Sequence, residues 1–573
     1  MEKTVLGTFH GDAEFPIEWR DGERELFWVL DDLHCPNPLS PMFFDIGGWW
    51  LTCDHMFRRF GTPFASDWIA KEVNGYLYTA AIPAEASLRV EAAEYNARYV
   101  PRVPQDDAYA GRIGGYLGSV LPHYATSFMD WWRDRLRPEI ERNFAYLDGF
   151  DMEGADLVAL AVLLEEAIDI HDRHWKIHWM INFSQFSATM ALNGAIGELG
   201  GADPSLPGRL QSSVEDRNWD SIAALWRMKE EIKGDPDLKA AFAADNAAGV
   251  LAALAASARG SRFVQERLDP YRSEFGRKAI WSHEFVFPTW FENPAPIVEA
   301  LRGYLETDYD YPATLAAVRA DLDGAVAELL AAAPEGETRE GLRATLELSL
   351  GLNPLTPDHH FYIDQGTNAR LRLVLVAIGR KLAAAGAIDD AEDVMFLHYN
   401  ELRAVIGDAS SLDARTLIGE RRDAREAAFE IRPPDWVGTA TEDALAFPYL
   451  TLWGFPEKFH RPRSVSRDQI VGLAASAGVV EGPARVVESL EEFDQVQAGD
   501  ILVCRMTNPA WVVLFTKIGG LVTDAGGMAA HPAVVAREFA LPAVVGTSNA
   551  TQRITTGQRV RVNGATGIVD VLE

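Results

Sequence analysis

The chain has 573 residues, 48% hydrophobic and 24% charged, the balance of a globular protein with cores for about two to four domains. Lys and Arg number 53 and Asp and Glu 84, a formal net charge of −31. That charge argues against broad nucleic-acid binding and against anionic membrane surfaces. Three cysteines, Cys35, Cys53 and Cys504, are too few for a disulfide framework and match no zinc spacing, so a reducing compartment is expected. Residues 1–12 show no apolar stretch after a basic start, and the best apolar run, Leu157 to Leu164, is far shorter than the ~20 residues that span a bilayer. The expectation is a cytoplasmic protein.

Residues 1 to 130 are rich in aromatics and prolines, with Trp19, Trp28, Trp49, Trp50 and Trp68 and the segment His34-Cys-Pro-Asn-Pro-Leu-Ser-Pro41. Prolines 36, 38 and 41 predict short elements wrapped by loops there, and Gly75 to Ala80 reads as a strand. Residues 131 to 453 read as mainly helical. Apolar residues recur at helical spacing over Asp156–Leu192, Asp220–Phe242, Ala248–Leu268, Ala295–Leu305, Tyr311–Ala332, Thr338–Leu350, Ala369–Ala385 and Ala391–Ile406. No fixed-period repeat marks a solenoid. Residues 454 to 468 are polar, basic and broken by two prolines, a linker. Beyond it, 469 to 573, short Val-, Gly- and Ala-rich runs predict a compact α/β domain: 479–480, 484–487, 501–504, 520–523, 543–545, 559–562 and 567–571, with one clear helix among them. The fold class expected is multidomain α + α/β, a large mainly helical region followed by a small C-terminal α/β domain.

The informative stretch is Gly519 to Gly546. Leu521 to Thr523 ends a strand, Asp524 to Met528 is a glycine turn, and His531 precedes Pro532. Proline suits the first helical position, so His531 sits at or next to the N-cap of a helix running to about Phe539. Unpaired N–H groups and the positive dipole end make that place a site for an anion such as phosphate. By spacing alone, a tight turn with an ordinary polar histidine is the competing reading.

Asp524, Gly526, Gly527, His531, Ala536-Arg537-Glu538 and Pro542 to Gly546 resemble the phosphohistidine swivelling domain of the phosphoenolpyruvate-utilising enzymes. The likeness extends to Ala474–Val487, to Thr507-Asn-Pro-Ala-Trp511 and to Val560–Val571. It implies that His531 carries a phosphoryl group, with Gly526, Gly527, Thr507 and Arg537 around the phosphate. Arg537 either neutralises phosphate or pairs with Glu538 or Asp524. Many members carry Thr and then Ser or Cys before the histidine. Here Ala529 and Ala530 stand there, so one phosphate-binding hydroxyl is missing.

The helical region resembles the acceptor-binding domain of rifampicin phosphotransferase, and more closely the His-bearing subunits of phenylphosphate synthase and of enzymes phosphorylating aromatic ketones such as 4-hydroxyacetophenone and acetovanillone. The residues carrying this are Pro36–Pro41, Tyr271–Pro294, Asp358–Asp364 and Ile388–Leu397. No Walker A motif and no glycine-rich loop with a nearby Lys lies in residues 1 to 450. In the split enzymes ATP binding sits on a separate polypeptide. The resemblance therefore implies ATP and Mg²⁺ on a separate ATP-grasp subunit, no tightly bound cofactor or metal in this chain, and transfer from His531 to a small phenolic or aromatic hydroxyl. Such transfer needs alignment, charge neutralisation and a base.

One of His359 and His360 is the candidate base, with a structural role expected for the other. Asp358 either orients that base or starts a helix. Arg370 and Arg372 hold phosphate or form a solvated face. Lys278 and Glu284 have a cleft role or form a buried ion pair. His171, His174 and His178 share one helical face by their spacing; a metal site lacks a carboxylate pattern to complete it, and packing stands ahead of substrate contact. The 16 Trp, 28 Phe and 15 Tyr line a flat pocket or make ordinary core, core being expected for most. The competing functions are a rifampicin-type antibiotic phosphotransferase component, a phosphocarrier acting on a protein, and an inactive scaffold.

Overall fold

The computed structural model describes residues 4–60, 65–83, 107–200, 203, 206–447, 450, 455, 459, 466, 468–487, 490–507, 511–527 and 530–572. The chain folds as two compact units. One comprises Met1–Ser187, His283–Val286 and Tyr362–Pro448, the other Ala188–Ser282, Phe287–Phe361 and Tyr449–Glu573. The class is α + α/β, as expected. Most of the 454–468 linker lies outside the described residues, as does Ala529. Among the described residues no helix is long and apolar enough to cross a membrane. The three cysteines are buried and free.

The first unit holds a five-stranded antiparallel sheet of β1 (Val5–Phe9), β2 (Phe27–Leu30), β3 (Ala65–Val73), β4 (Tyr76–Pro83) and β5 (Trp436–Thr441), in the order β1-β5-β2-β4-β3. The strand expected at Gly75–Ala80 is β4. Asn74 and Gly75, with φ of 52° and 88°, make the tight turn that joins it to β3. Strand β5 is an element that the mainly helical reading of 131–453 did not single out. Its six residues insert between β1 and β2, and such distant pairing leaves no local periodic signal. Gly438 is required there: at φ +89°, a Cβ would stand 2.1 Å from the Leu26 carbonyl oxygen. Trp28, Tyr76, Tyr78 and Val437 are buried on the sheet, and the Tyr78 hydroxyl donates to the Pro434 carbonyl at 2.6 Å. The proline-rich loop ends where Ser40 caps the short helix Pro41–Ile46, with proline in its first turn.

Several expected helices are broken at residues that cap or interrupt them. Ala391–Ile406 divides into a 3₁₀ turn, Ala391–Phe396, and a helix, Tyr399–Gly407, each opened by a capping box. In the second unit Asp220–Phe242 divides into Arg217–Gly234 and Pro236–Phe242. Asp235 closes the first and caps the second ahead of Pro236. Ser257 likewise starts a new helix within Ala248–Leu268. The helix Tyr311–Ala332 matches its expected span. It buries Ala325 and Leu329 against Leu192, Ile196, Leu206, Leu342 and Leu346.

The C-terminal domain is an eight-stranded sheet of β6 (Gln469–Val471), β7 (Leu473–Ser476), β8 (Val479–Val486), β9 (Ile501–Cys504), β10 (Gly520–Thr523), β11 (Ala543–Val545), β12 (Arg559–Asn563) and β13 (Ile568–Val571). Their order is β6-β13-β12-β8-β9-β10-β11-β7. Strands β8 to β11 run parallel and the outer pairings are antiparallel. The runs 479–480 and 484–487, read as separate, lie on the single strand β8. Strands β9, β10 and β11 are buried along their whole length, the mark of a sheet covered on both faces.

Candidate functional site

Ligands of open α/β sheets bind at the carboxyl ends of parallel strands, and here three loops converge at those ends. The loop after β10 is tied to the one after β9: Asp524 N–H donates to the Cys504 carbonyl at 3.1 Å and Ala525 N–H to the Arg505 carbonyl at 2.8 Å. The loop after β11 is tied to it in turn, with Thr547 N–H donating to the Thr523 carbonyl at 2.9 Å and Ser548 N–H to the Asp524 carbonyl at 2.8 Å. Gly526 turns the chain at φ +120°, where a side chain is strained, and a Cβ on Gly546 would stand 2.6 Å from the Gly526 carbonyl oxygen. The Gly527 carbonyl accepts from Ala530 N–H at 3.1 Å. His531 then opens the helix His531–Glu538, with Ala530 at the N-cap and no side-chain cap bond. The alanine noted in the sequence thus stands where a hydroxyl would cap the helix.

Asp524 braces this loop system. Its carboxylate accepts from the Thr551 N–H at 3.1 Å and from the Thr551 hydroxyl, with the Thr547 hydroxyl at 3.2 Å. Burial raises its carboxyl above the usual range against those bonds. Thr507, after β9, is buried. Arg537 donates from its guanidinium to the Ala475 carbonyl of β7 at 3.1 Å, and a Cβ on Gly208 would stand 3.3 Å from its Cδ. Arg537 thus lies between β7 and the helix Leu206–Arg209.

Within the second unit this domain rests on helical segments. Trp511 lies 5.7 Å from Trp281 between ring centroids, and Phe539 stacks on Tyr309 at 6.0 Å. Lys517 Nζ pairs with Glu306 at 3.1 Å.

The same unit collects Asp358, His359, His360 and Lys278. Asp358 accepts from the Arg217 N–H at 3.1 Å, at the N-terminus of the helix that Asp216 caps. Burial pushes the Asp216 carboxyl up to about 7, with Asp358 adding to the rise. His359 is buried, its Nδ1 lies 2.8 Å from the Leu355 carbonyl, and its ring centroid is 4.2 Å from that of His360, the planes tilted by 35°. Glu284 belongs to the other unit's 283–286 segment. The Lys278 ammonium sits 4.2 Å over the Trp290 ring and 3.5 Å from the Ser221 hydroxyl, and burial pushes it down to about 7.

In the first unit Glu284 is a clamp. Its carboxylate accepts from the Ser40 N–H and hydroxyl and from the Phe285 N–H, each at 2.6 Å, and from the Val286 N–H at 3.2 Å. The arginines are buried in ion pairs and form no solvated face. Arg370 binds Asp148 at 2.6 Å and the Gly366 carbonyl at 2.9 Å; Arg372 binds Glu392 and the Phe285 carbonyl. His171, His174 and His178 share a face but turn to different partners. His171 Nε2 receives the Trp175 indole N–H at 2.8 Å. His174 lies between Thr367 at 2.8 Å and Asn143 at 3.0 Å, and burial pushes it down to about 3. His178 Nε2 is 3.7 Å from Asp364. Three donors aimed three ways are not one ligand set.

The sequence reading passed over Asp31 and His34. His34 Nδ1 lies 2.9 Å from Asp31 Oδ1, and the Trp49 indole donates to Asp31 Oδ2 at 3.0 Å. Burial would raise the Asp31 carboxyl, but His34 and these bonds outweigh it and hold it below the usual range. Burial would lower His34, but Asp31, then Asp364 and Asp32, outweigh that and raise it. The available signal was the i, i+3 spacing of Asp and His beside three prolines, a pattern too common to single out.

Residues 496–567 match the family model of the PEP-utilising enzyme mobile domain, and residues 178–352 match the rifampicin phosphotransferase fourth domain. A chondramide synthase of Chondromyces crocatus is 29% identical over 98% of this chain and 14% of its own length. An uncharacterized phosphotransferase of Bacillus subtilis is 28% identical over 70% of this chain and 47% of its own. A rifampicin phosphotransferase of Streptomyces sviceus is 31% identical over 55% of this chain and 35% of its own. The chain thus spans less than half the length of each of these relatives. It is similar to phosphotransferases of the PEP-utilising type and carries the mobile domain of that family.

Proposed function

We propose that this chain is the carrier and acceptor-binding part of a dikinase-type phosphotransferase, with the phosphoryl group on His531. The observation that carries the reading is the placement of His531 at a helix start, beside the Gly526 turn, at the carboxyl ends of parallel strands. Backbone N–H groups at a helix start favour phosphate. ATP and Mg²⁺ act on a separate ATP-grasp subunit, which charges His531. In the second half-reaction an acceptor oxygen attacks phosphorus, the P–N bond breaks with its electron pair left on the imidazole, and the hydroxyl proton goes to a base. The acceptor is a small aromatic hydroxyl, a reading supported by the tryptophan- and histidine-lined interior of the first unit. A rifampicin-type acceptor is the second reading, favoured by the match over residues 178–352.

The test is intact mass at neutral to basic pH, where phosphohistidine survives. Wild type and His531→Ala are incubated with ATP, alone and with clarified lysate of the source organism. One added phosphoryl group on wild type only, and only with lysate, is the expected result. An adduct with ATP alone removes the separate subunit; no adduct under any condition removes the carrier reading. Phenols and rifampicin are then offered as acceptors to the charged protein.

A further inference from the structure

Five histidines of the two interiors differ in what they are able to do. His171 and His174 have no exposed surface, and His178 and His359 are 5% exposed. His34 differs: its side chain is 28% exposed, while the Asp31 carboxylate behind it is 3% exposed. A base needs this arrangement, with one ring nitrogen held by a buried carboxylate and the ring reachable by a ligand.

The carboxylate also sets the wall beside the ring. The Trp49 indole that donates to Asp31 lies 5.8 Å from the His34 ring between centroids. His283 meets the same imidazole edge-on at 5.4 Å, and Trp175 lies 5.9 Å from His283. Glu284 fixes the segment that bears His283 to Ser40, at the end of the loop that bears His34. Flat walls around one basic edge suit a flat ring bearing one acidic hydrogen.

We propose that the Asp31–His34 pair is the base of an aromatic-hydroxyl site in the first unit, with Trp49 and His283 as its walls. Asp31 keeps the proton on Nδ1 and is a positioning residue. His34 Nε2 takes the hydroxyl proton, and the resulting imidazolium faces Asp31 and stabilises the phenolate. This inference rests on the phosphotransfer reading for its use: the phenolate oxygen forms the O–P bond as the P–N bond at His531 breaks. The groups facing His34 are Asp31 and Asp32 from its own loop, His283 from the 283–286 segment, and Asp364 with its partner His178.

The experiment uses the full chain and 4-nitrophenol, whose phenolate is coloured, with 4-nitroanisole as the probe lacking the hydroxyl. Quenching of tryptophan fluorescence reports binding, and absorbance reports ionisation. The expected result is saturable quenching and a bound 4-nitrophenol that ionises about one pH unit below the free probe. His34→Gln binds the probe but returns its ionisation to the free value or above, and Asp31→Asn moves it part of the way, with both melting as wild type does. No saturable quenching, or equal ionisation in wild type and His34→Gln, overturns the proposal. If both variants unfold, the wild-type ionisation decides alone. Neither ATP nor His531 enters this test. An adduct on His531 without the ionisation shift overturns the base and leaves the carrier; the shift without an adduct does the reverse.

Discussion

Lys517 Nζ lies 3.1 Å from a Glu306 carboxylate oxygen, joining the C-terminal domain to the end of the helix Ala295–Glu306 within one compact unit. The same unit holds the Trp511–Trp281 and Phe539–Tyr309 contacts. Glu306 is 58% exposed, so solvent screens the attraction. Lys517→Glu is expected to cost about 1 kcal/mol or less, and the swapped double variant Lys517→Glu with Glu306→Lys to recover most of it. A double-mutant cycle on denaturant midpoints measures this coupling.

Lys278 makes stability depend on alkaline pH. Its pKa is about 7 in the fold, depressed by burial from 10.5. Between these values the unfolded chain binds the extra proton, so stability rises as pH rises from 7 to 10.5, by up to ~1.4 kcal/mol per unit. Below pH 7 both states are charged and the slope vanishes. Lys278→Met is expected to flatten the rise and to be more stable than wild type at pH 7. Urea denaturation from pH 7 to 10 checks it.

Asp216 has the opposite slope. Its folded pKa of about 7 lies above the ordinary 3.8, so its contribution is present in full below pH 3.8 and is lost as pH rises through 7. Asn keeps the cap bonds to Asn218 and Trp219 N–H without a buried charge. Asp216→Asn is expected to raise the melting temperature at pH 8, and Asp216→Ala to fall below Asp216→Asn by about 1 kcal/mol through the lost cap.

Glu284 accepts four hydrogen bonds in a buried position. Glu284→Ala leaves the Ser40 and Phe285 N–H groups without their acceptor and is expected to destabilise by ~3–5 kcal/mol. Glu284→Gln loses less, since one oxygen still accepts. Chemical denaturation separates the two. On the reading above, Glu284→Gln also displaces His283 and weakens 4-nitrophenol binding.

Local chemistry was legible in the sequence wherever a few adjacent residues decide the outcome. Pro532 after His531 marks the helix start, Gly526 marks the turn, and the runs 501–504, 520–523 and 543–545 are three of the four parallel strands of the C-terminal sheet. Helical periodicity placed Tyr311–Ala332 to the residue. Breaks at Asp235–Pro236 and Ser257 were misjudged because a cap and an interior residue look alike until the N–H groups they serve are known.

What only the tertiary structure decided depends on partners far apart in the chain. Strand β5 pairs with β1 across more than 400 residues, a contact no local pattern encodes. Glu284 is a clamp because Ser40 meets it, and Arg370 is an ion-pair residue because Asp148 meets it. Asp31 and His34 were near neighbours in the sequence, yet their meaning came from Trp49, His283 and Asp364 packing around them. A side chain's chemistry is set by its charge, solvent and hydrogen-bond partners. The sequence names the side chain, and the fold supplies those partners.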